Sequence, residues 1–455
     1  MTKYIAEQLA EHFSRQQFED LPVLRIQQAK TLIKDYVGVA LRGGQTESGR
    51  IAARFAQQQQ SGDAMLICNG GFASVDRVAF ANAIASHSIE LDDVDYLALF
   101  HFSPPVVSAA LAIAQQQKAS GRDLLLAVVA GCEVMSRTSH AANFSLRDRG
   151  FHTTPTCGTF GAAVAAARLM ACSAEQMVSA LGLAGAQAAG LMEMYGPSMQ
   201  KRFNPGPAAR SGVTAALLAK LGFTGAATIF EGERGFLAAF TDENDPAALT
   251  RDLSNDYPDE FEFKPYSCAR PIHNAIDCAL NLRAKIPEPV GEIRQILMRR
   301  HPRWAAYHQN KHPRTYHEAQ VSLPYSVAVA LIDGAAFFPQ YSPERLSDPQ
   351  VRKLAELVEI TADESLQRGV SCAMDIVLAD GRIESTVVDH PKGSIKNPMS
   401  QEEMNDKVRL LSSPVLTEEG LLRLLKAIDA LDDASSLDEL TSALSPQFRK
   451  AASRL

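Results

Sequence analysis

The chain has no excess of positive charge. Lysine and arginine total 45 against 52 aspartates and glutamates, a formal net charge of −7. Nucleic-acid surfaces need basic excess, so broad nucleic-acid binding is argued against, although a locally basic pocket is compatible with this balance. Paired cysteines are missing too. Cys68, Cys132, Cys157, Cys172, Cys268, Cys278 and Cys372 are odd in number and scattered, with no CxxC spacing. A reduced, cytoplasmic protein with buried thiols is expected. Long apolar runs are also scarce. Residues 177–192 carry no charge, but they hold as much Gly, Ala, Ser and Gln as Leu, and they fall short of the ~20 residues of a span. The first residues, MTKYIAEQLAEHFSRQ, mix both charges at helical spacing and do not read as a signal peptide. There is no low-complexity linker and no clear internal repeat.

What is present is an ordinary globular composition, 46% hydrophobic and 21% charged, over 455 residues. That length implies two domains. The first two thirds read as helices. In AKTLIKDYVGVALRG, Leu32, Ile33, Tyr36, Val37, Ala40 and Leu41 share one face at a 3.6-residue period. Pro104 and Pro105 suit the first turn of the helix VVSAALAIAQQQ. The helices that follow are rich in Ala and Gly, which predicts close helix packing.

The character changes after about Pro265. EIRQILMRR and ELVEITADES read as strands. AMDIVLADGRIESTVV reads as a hairpin turning at Asp380-Gly381. PYSVAVALIDG and DPQVRKLAELV between them read as helices. Beyond about Asn397 helices return, with Ser436 and Glu439 expected as a capping box. The fold class is therefore mainly α: an all-helical domain over 1–266 and 398–455, interrupted by an α+β insert over 267–397.

Four stretches carry candidate chemistry. HSIELDDVDYLALFHF crowds Glu90, Asp92, Asp93 and Asp95 before an apolar run and His101. With no second oxygen-ligand cluster, a packed loop is favoured over a cation site. A lone histidine is ordinarily core, yet partial burial near neutrality also suits an acid or base. In RDRGFHTTPTCGTFGAA, His152 and three threonines precede Gly158 and Gly161, which are read as opening a helix. An anion site at that helix start and a merely capped helix are equally open readings. MQKRFNPGPAARSG brings Lys201 and Arg202, between Pro197 and Pro205. EFKPYSCARPIHNAID brings Lys264, Arg270 and His273. Cations that hold carboxylates beside a histidine that moves a proton suit a small polyanionic substrate. His301, His308, His312 and His317 resemble a zinc helix only in spacing. The zincin glutamate is absent and Pro313 breaks the helix.

Taken together and in order, these motifs resemble the MmgE/PrpD family of dehydratases, decarboxylases and epimerases. The match also draws on GFTGAATIFEG and VSLPYSVAVALIDG. The resemblance implies a discontinuous helical domain, a smaller α+β lid, a homodimer, and a cleft active site that uses neither metal nor organic cofactor. It assigns His101, His152, Lys201 and Lys264 to the active site, Tyr325 near the cleft, and Asp92 and Asp93 to the paired aspartates. Two departures stand out. Glu90 takes a place commonly held by aspartate, and Val94 replaces a threonine. A tryptophan-rich loop typical of 2-methylcitrate dehydratases is absent, which argues against that substrate.

The expected chemistry is proton transfer next to a carboxylate of a small di- or tricarboxylic acid. Lys201 and Lys264, with Arg202 or Arg270, would bind the carboxylates. One histidine would move the proton, and the other, or Tyr325, would serve the leaving hydroxyl or the opposite face. Glu90, Asp92 and Asp93 would orient the histidines, and these carboxylates with Arg202, Arg270 and His273 make up the expected substrate-binding set. Dehydration of a hydroxy-polycarboxylate is favoured, with epimerisation and decarboxylation needing nearly the same equipment. The rival from another class is a non-catalytic acid-binding or interaction protein, whose histidines would point into apolar core.

Overall fold

Alanine and glycine dominate the helices after Ser103, and they set how closely those helices approach. The computed structural model describes residues 3–58, 62–95, 99–194, 198–253, 261–286, 289–366 and 371–445, without the side chains of residues 289 and 290. Tyr96 to Ala98 of the apolar run and Pro197 lie outside these. In the helices Gly121–Ala142 and Thr153–Leu169, a Cβ placed on Gly161 would sit 2.5 Å from the Gly131 carbonyl oxygen. The two backbones therefore touch. On the other side, a Cβ on Gly212 of the helix Pro205–Lys220 would lie 2.5 Å from the Cβ of Ala162. No larger residue fits these seams without moving a helix.

The chain is mainly α with one small mixed sheet. A large helical core draws on residues from Ala6 to Leu249 and on Val415 to Leu444, so both ends of the chain contribute to it. The buried Lys30 and Lys34 of the helix Val23–Gly43 fasten the C-terminal segment through Asp432 and Asp429, at 2.5 and 2.8 Å. A second core runs from Cys268 to Leu378. It packs the helices His273–Arg283, Leu323–Asp333 and Pro349–Glu356 on a four-stranded sheet. The strand order is Val358–Ala362, Ile293–Arg300, Cys372–Leu378, Ile383–Val388. The first pairing is parallel and the other two are antiparallel. The hairpin turns where expected, with Gly381 at φ 90°. Between the cores, Phe337 and Phe338 pack on Val39, Ile89, Leu91 and Leu411. This junction seats the carboxylate-rich loop.

Two local expectations need correction. The helix after His152 begins at Thr153, five residues before Gly158. The expected capping box at Ser436 does not form, because that helix starts at Asp438. Ser436 donates instead to the Asp438 carboxylate at 3.0 Å, and Glu439 faces Arg423 at 3.4 Å. The uncharged stretch 177–192 does not span anything: its helix is Ala174–Gly185. Among the described residues no helix is long and apolar enough to cross a membrane.

The seam between Gly131 and Gly161 predicts that Gly161→Ala lowers stability by about 1–3 kcal/mol. Gly291→Ala, where an added Cβ meets nothing within 4 Å, should leave it unchanged. Urea unfolding with a common slope reads both, and an unshifted midpoint for Gly161→Ala would refute the tight seam.

Candidate active site

The loop after the helix Val75–Ser86 begins at His87 and turns on Glu90, a non-glycine residue at φ 57°. That left-handed backbone costs free energy, which surrounding contacts must offset. They do so from both sides. Lys407 donates to the Leu91 carbonyl at 2.6 Å while pairing with Asp35 at 2.5 Å. From the smaller core, Ser267 Oγ and Gln320 Nε2 donate to the Ile89 carbonyl at 2.7 and 3.0 Å.

The result is a Glu90 carboxylate turned inward and only 1% exposed. It pairs with Lys201, with Arg202 at 2.6 Å and with Lys264 at 3.1 Å. Burial alone would raise its pKa, but the three cations outweigh burial and hold it well below the usual carboxylate range. Burial would likewise lower Lys264, yet Glu90 and Asp92 raise it above its ordinary value. Both groups therefore stay charged.

The two aspartates do different work. Asp93 accepts the backbone N–H groups of Phe102 and Ser103, at 2.7 and 3.1 Å, and the Ser103 hydroxyl. It thus caps the helix Ser103–Gln117 from outside and fixes where His101 leaves the chain. Asp92 Oδ2 accepts from Nδ1 of His87 at 2.6 Å and Nδ1 of His101 at 3.1 Å. Burial opposes its ionisation, but His101, His87 and Lys264 hold its pKa well down.

These contacts decide the tautomers. His101 Nδ1 lies between two acceptors, Asp92 Oδ2 and the Asp93 carbonyl at 2.5 Å, so it carries the proton. In the neutral ring this leaves the lone pair on Nε2. His152, N-cap of the helix Thr153–Leu169, has the opposite arrangement. Its Nδ1 accepts from the Asn204 amide nitrogen at 2.9 Å, which leaves the proton on Nε2. Burial first, then the charges around it, push the His152 pKa well below the ordinary value, so the ring is neutral.

His101, His152, Lys201 and Lys264 all line one cavity of about 680 Å³. Glu90, Arg147, Met192 and Met194 line it too, and Arg270, Arg303, Trp304, Tyr307 and His308 close it from the other side. A larger hollow of about 780 Å³ beside the helix Ile5–Arg15 holds none of the expected residues.

The remaining expected residues stand back from this cavity. Arg202 lies behind Glu90, donating to the Gln320 side chain at 2.7 Å. Arg270 touches the wall but is committed to Glu262, to His273 Nδ1 and to the Lys392 carbonyl. His273 is buried in the second core, and its Nε2–H donates to the Cys268 carbonyl at 3.2 Å. Burial and then Arg270 depress its pKa well below the ordinary range, so it too is neutral. The Tyr325 hydroxyl donates to the Gln340 carbonyl at 2.6 Å inside the second core, away from the cavity lining. The cause is helical phase, which points this position inward.

At the helix start that left an anion site and a capped helix equally open, no side chain caps the first turn, and the threonines find partners inside the protein. Thr154 Oγ1 accepts the His101 N–H, Thr156 donates to the His152 carbonyl, Thr153 bonds Asn143, and all three threonines are buried. The four histidines of 301–317 disperse. His301 caps a turn, His312 meets Glu356 on the surface, and only His308 reaches the cavity. Among the described residues, metal-capable ligand atoms converge instead at His87, Asp92 and His101. Sequence reasoning missed Arg147 and His308. Arg147 precedes His152 by five residues in the RDRGFHTTP stretch, which is the local signal for it, whereas the spacing around His308 suggests only zinc.

Residues 7–249 match the MmgE/PrpD N-terminal domain, and residues 266–433 match the MmgE/PrpD C-terminal domain. The chain belongs to the MmgE/PrpD family. It is 29% identical over 441 residues to the cis-aconitate decarboxylase of Homo sapiens, covering 92% of this chain and 91% of that protein. It is 28% identical over 460 residues to the cis-aconitate decarboxylase-like protein oryM of Aspergillus oryzae, covering 94% and 95%. It is 28% identical over 454 residues to the cis-aconitate decarboxylase of Aspergillus terreus, covering 93% and 92%.

The neutral buried histidines predict acid sensitivity. Burial pushes His87 and His308 down to about 4 from an ordinary 6.5. Between those values the unfolded chain takes up protons and the folded chain does not, so stability falls as pH falls from 6.5 towards 4. For the fully buried His87 the loss is roughly 3 kcal/mol. Thermal melts from pH 7 to 4.5 should show a smaller drop for His308→Gln than for wild type. Equal drops would place the His308 titration elsewhere.

Proposed function

We propose that this chain is a carboxy-lyase that removes CO₂ from a small unsaturated tricarboxylate of the cis-aconitate type. The observation carrying this reading is the pair of opposite tautomers: a lone-pair nitrogen on His101 and an N–H on His152, beside two ammonium groups in one cavity. The decarboxylase names of the relatives favour this reaction over the dehydration expected from the sequence.

The reaction balances with these groups. The C–C bond to the carboxylate on the saturated carbon breaks, and its electron pair moves into the adjacent double bond. Charge then develops through the allyl system onto the carboxylate at the far carbon. Lys201 and Lys264 stabilise that charge, and the neutral His152 donates its Nε2–H to the same oxygens. A proton taken up at His101 Nε2, with ionised Asp92 against the opposite nitrogen, passes to the far carbon. The net change is consumption of one proton and release of one CO₂.

In this reading the smaller α+β body serves as the lid, with Arg303, Trp304 and Tyr307 on its cavity side. A homodimer belongs to the same reading through the family resemblance. So does a cytoplasmic location, which the seven free, buried cysteines support.

Incubation with cis-aconitate in deuterated water should yield CO₂ and a product carrying one deuterium beside a carboxylate. His101→Ala should lower turnover by roughly 10²–10⁴-fold. Water loss from a hydroxy-polycarboxylate, with cis-aconitate left untouched, would replace this reading with the dehydratase one.

A further inference from the structure

The cations around the cavity nearly all stand within ion-pair distance of an acid of the chain itself. Glu90 takes Lys201, Arg202 and Lys264. Glu262 takes Arg270 at 2.7 Å. Asp148 faces Arg303 across the cleft at 4.0 Å, and Asp242 takes Arg149 at 2.5 Å. Arg147 is the exception. It sits on the short helix Ser145–Asp148 and lines the cavity with His101, His152, Lys201 and Lys264. Among the described residues no carboxylate lies within ion-pair distance of it. Among the same residues its one side-chain hydrogen-bond contact runs from Nη1 to the Met192 sulfur at 3.6 Å, and a thioether is a weak acceptor.

The segment carrying Arg147 is fixed. The His152 N–H donates to the Gly190 carbonyl at 3.0 Å, and the Met192 N–H donates to the Gly150 carbonyl at 2.8 Å. The Arg147 side chain is partly buried, anchored at its base, and meets no acid among the described residues. A planar fork of N–H donors in that setting matches a carboxylate in two-point contact.

We propose that Arg147 binds one carboxylate of the substrate and makes the cavity select a tricarboxylate over the corresponding dicarboxylate. This rests on the reading above only in taking the cavity as the site of a polycarboxylate. Arg147 binds and selects, and the proton transfers remain with the histidines.

The test is calorimetric binding of two inert acids, propane-1,2,3-tricarboxylate and glutarate, which differ by one carboxylate. Wild type should bind the first about tenfold or more tightly than the second. Arg147→Gln should bring the two affinities together by weakening the tricarboxylate alone, and Arg147→Lys should recover part of the difference. Thermal melts should confirm that both variants fold. With cis-aconitate, Arg147→Gln should raise KM about tenfold and change kcat by no more than a few-fold. Unaltered discrimination in Arg147→Gln would overturn the proposal, as would a wild-type protein that binds neither acid. Arg147-dependent tricarboxylate binding without any decarboxylation would uphold this assignment and overturn the reaction proposed above.

Discussion

Glu90 is a carboxylate almost wholly removed from water, facing cations that arrive from 111, 112 and 174 residues away in the chain. Leaving any of these four charges buried alone would cost several kcal/mol. The cluster therefore forms complete, and completing it brings together the loop after Ser86, the segment around Lys201 and the segment around Lys264. The left-handed backbone at Glu90 follows from the same constraint, since it turns the carboxylate inward. Gln320 extends the network by accepting from Arg202 and donating to the Ile89 carbonyl. A residue of the smaller core thus holds the turn of the larger one.

Around that centre the imidazoles are set by acceptors and donors rather than by net charge. Asp92 receives two Nδ1–H groups at once, so His87 and His101 share one orienting carboxylate, with ring centres 4.8 Å apart in an edge-to-face arrangement. Asp93 contributes its carbonyl to His101 and its side chain to the helix start immediately after. One short loop thereby fixes both where the histidine stands and which of its nitrogens is free. Asn204 does the corresponding work for His152 with the opposite sense.

The helices were legible in the sequence because their signals are local. Periodicity marked the helix Val23–Gly43, prolines marked the start of Ser103–Gln117, and Asp380-Gly381 marked the hairpin. The helix start at Thr153 was not, because its first hydroxyls find tertiary partners: Thr153 bonds Asn143, and Thr154 accepts the His101 N–H. Four motif residues, His101, His152, Lys201 and Lys264, do meet at one cavity. The division of labour among the acids was not visible. Glu90, Asp92 and Asp93 look interchangeable as letters, yet one clamps cations, one orients rings and one caps a helix. Tyr325 illustrates the same limit. A motif names a residue, but only packing says which way it points.

Electrostatic balance explains why such a site can hold basic and acidic groups together near neutral pH. Lys264 keeps its proton because Glu90 stays ionised, and Glu90 stays ionised because three cations surround it. Burial at the same time strips protons from His87 and His152 and leaves them neutral. Fixed ammonium charge and neutral imidazole therefore coexist within one hollow without cancelling each other. Were the acid missing, the buried cations would repel one another, and burial would favour the neutral form of Lys264. Were His87 and His152 exposed, the centre would gain positive charge as pH fell. The internal carboxylate, placed by a strained turn that both cores hold, lets buried ammonium charge and neutral imidazole stand side by side.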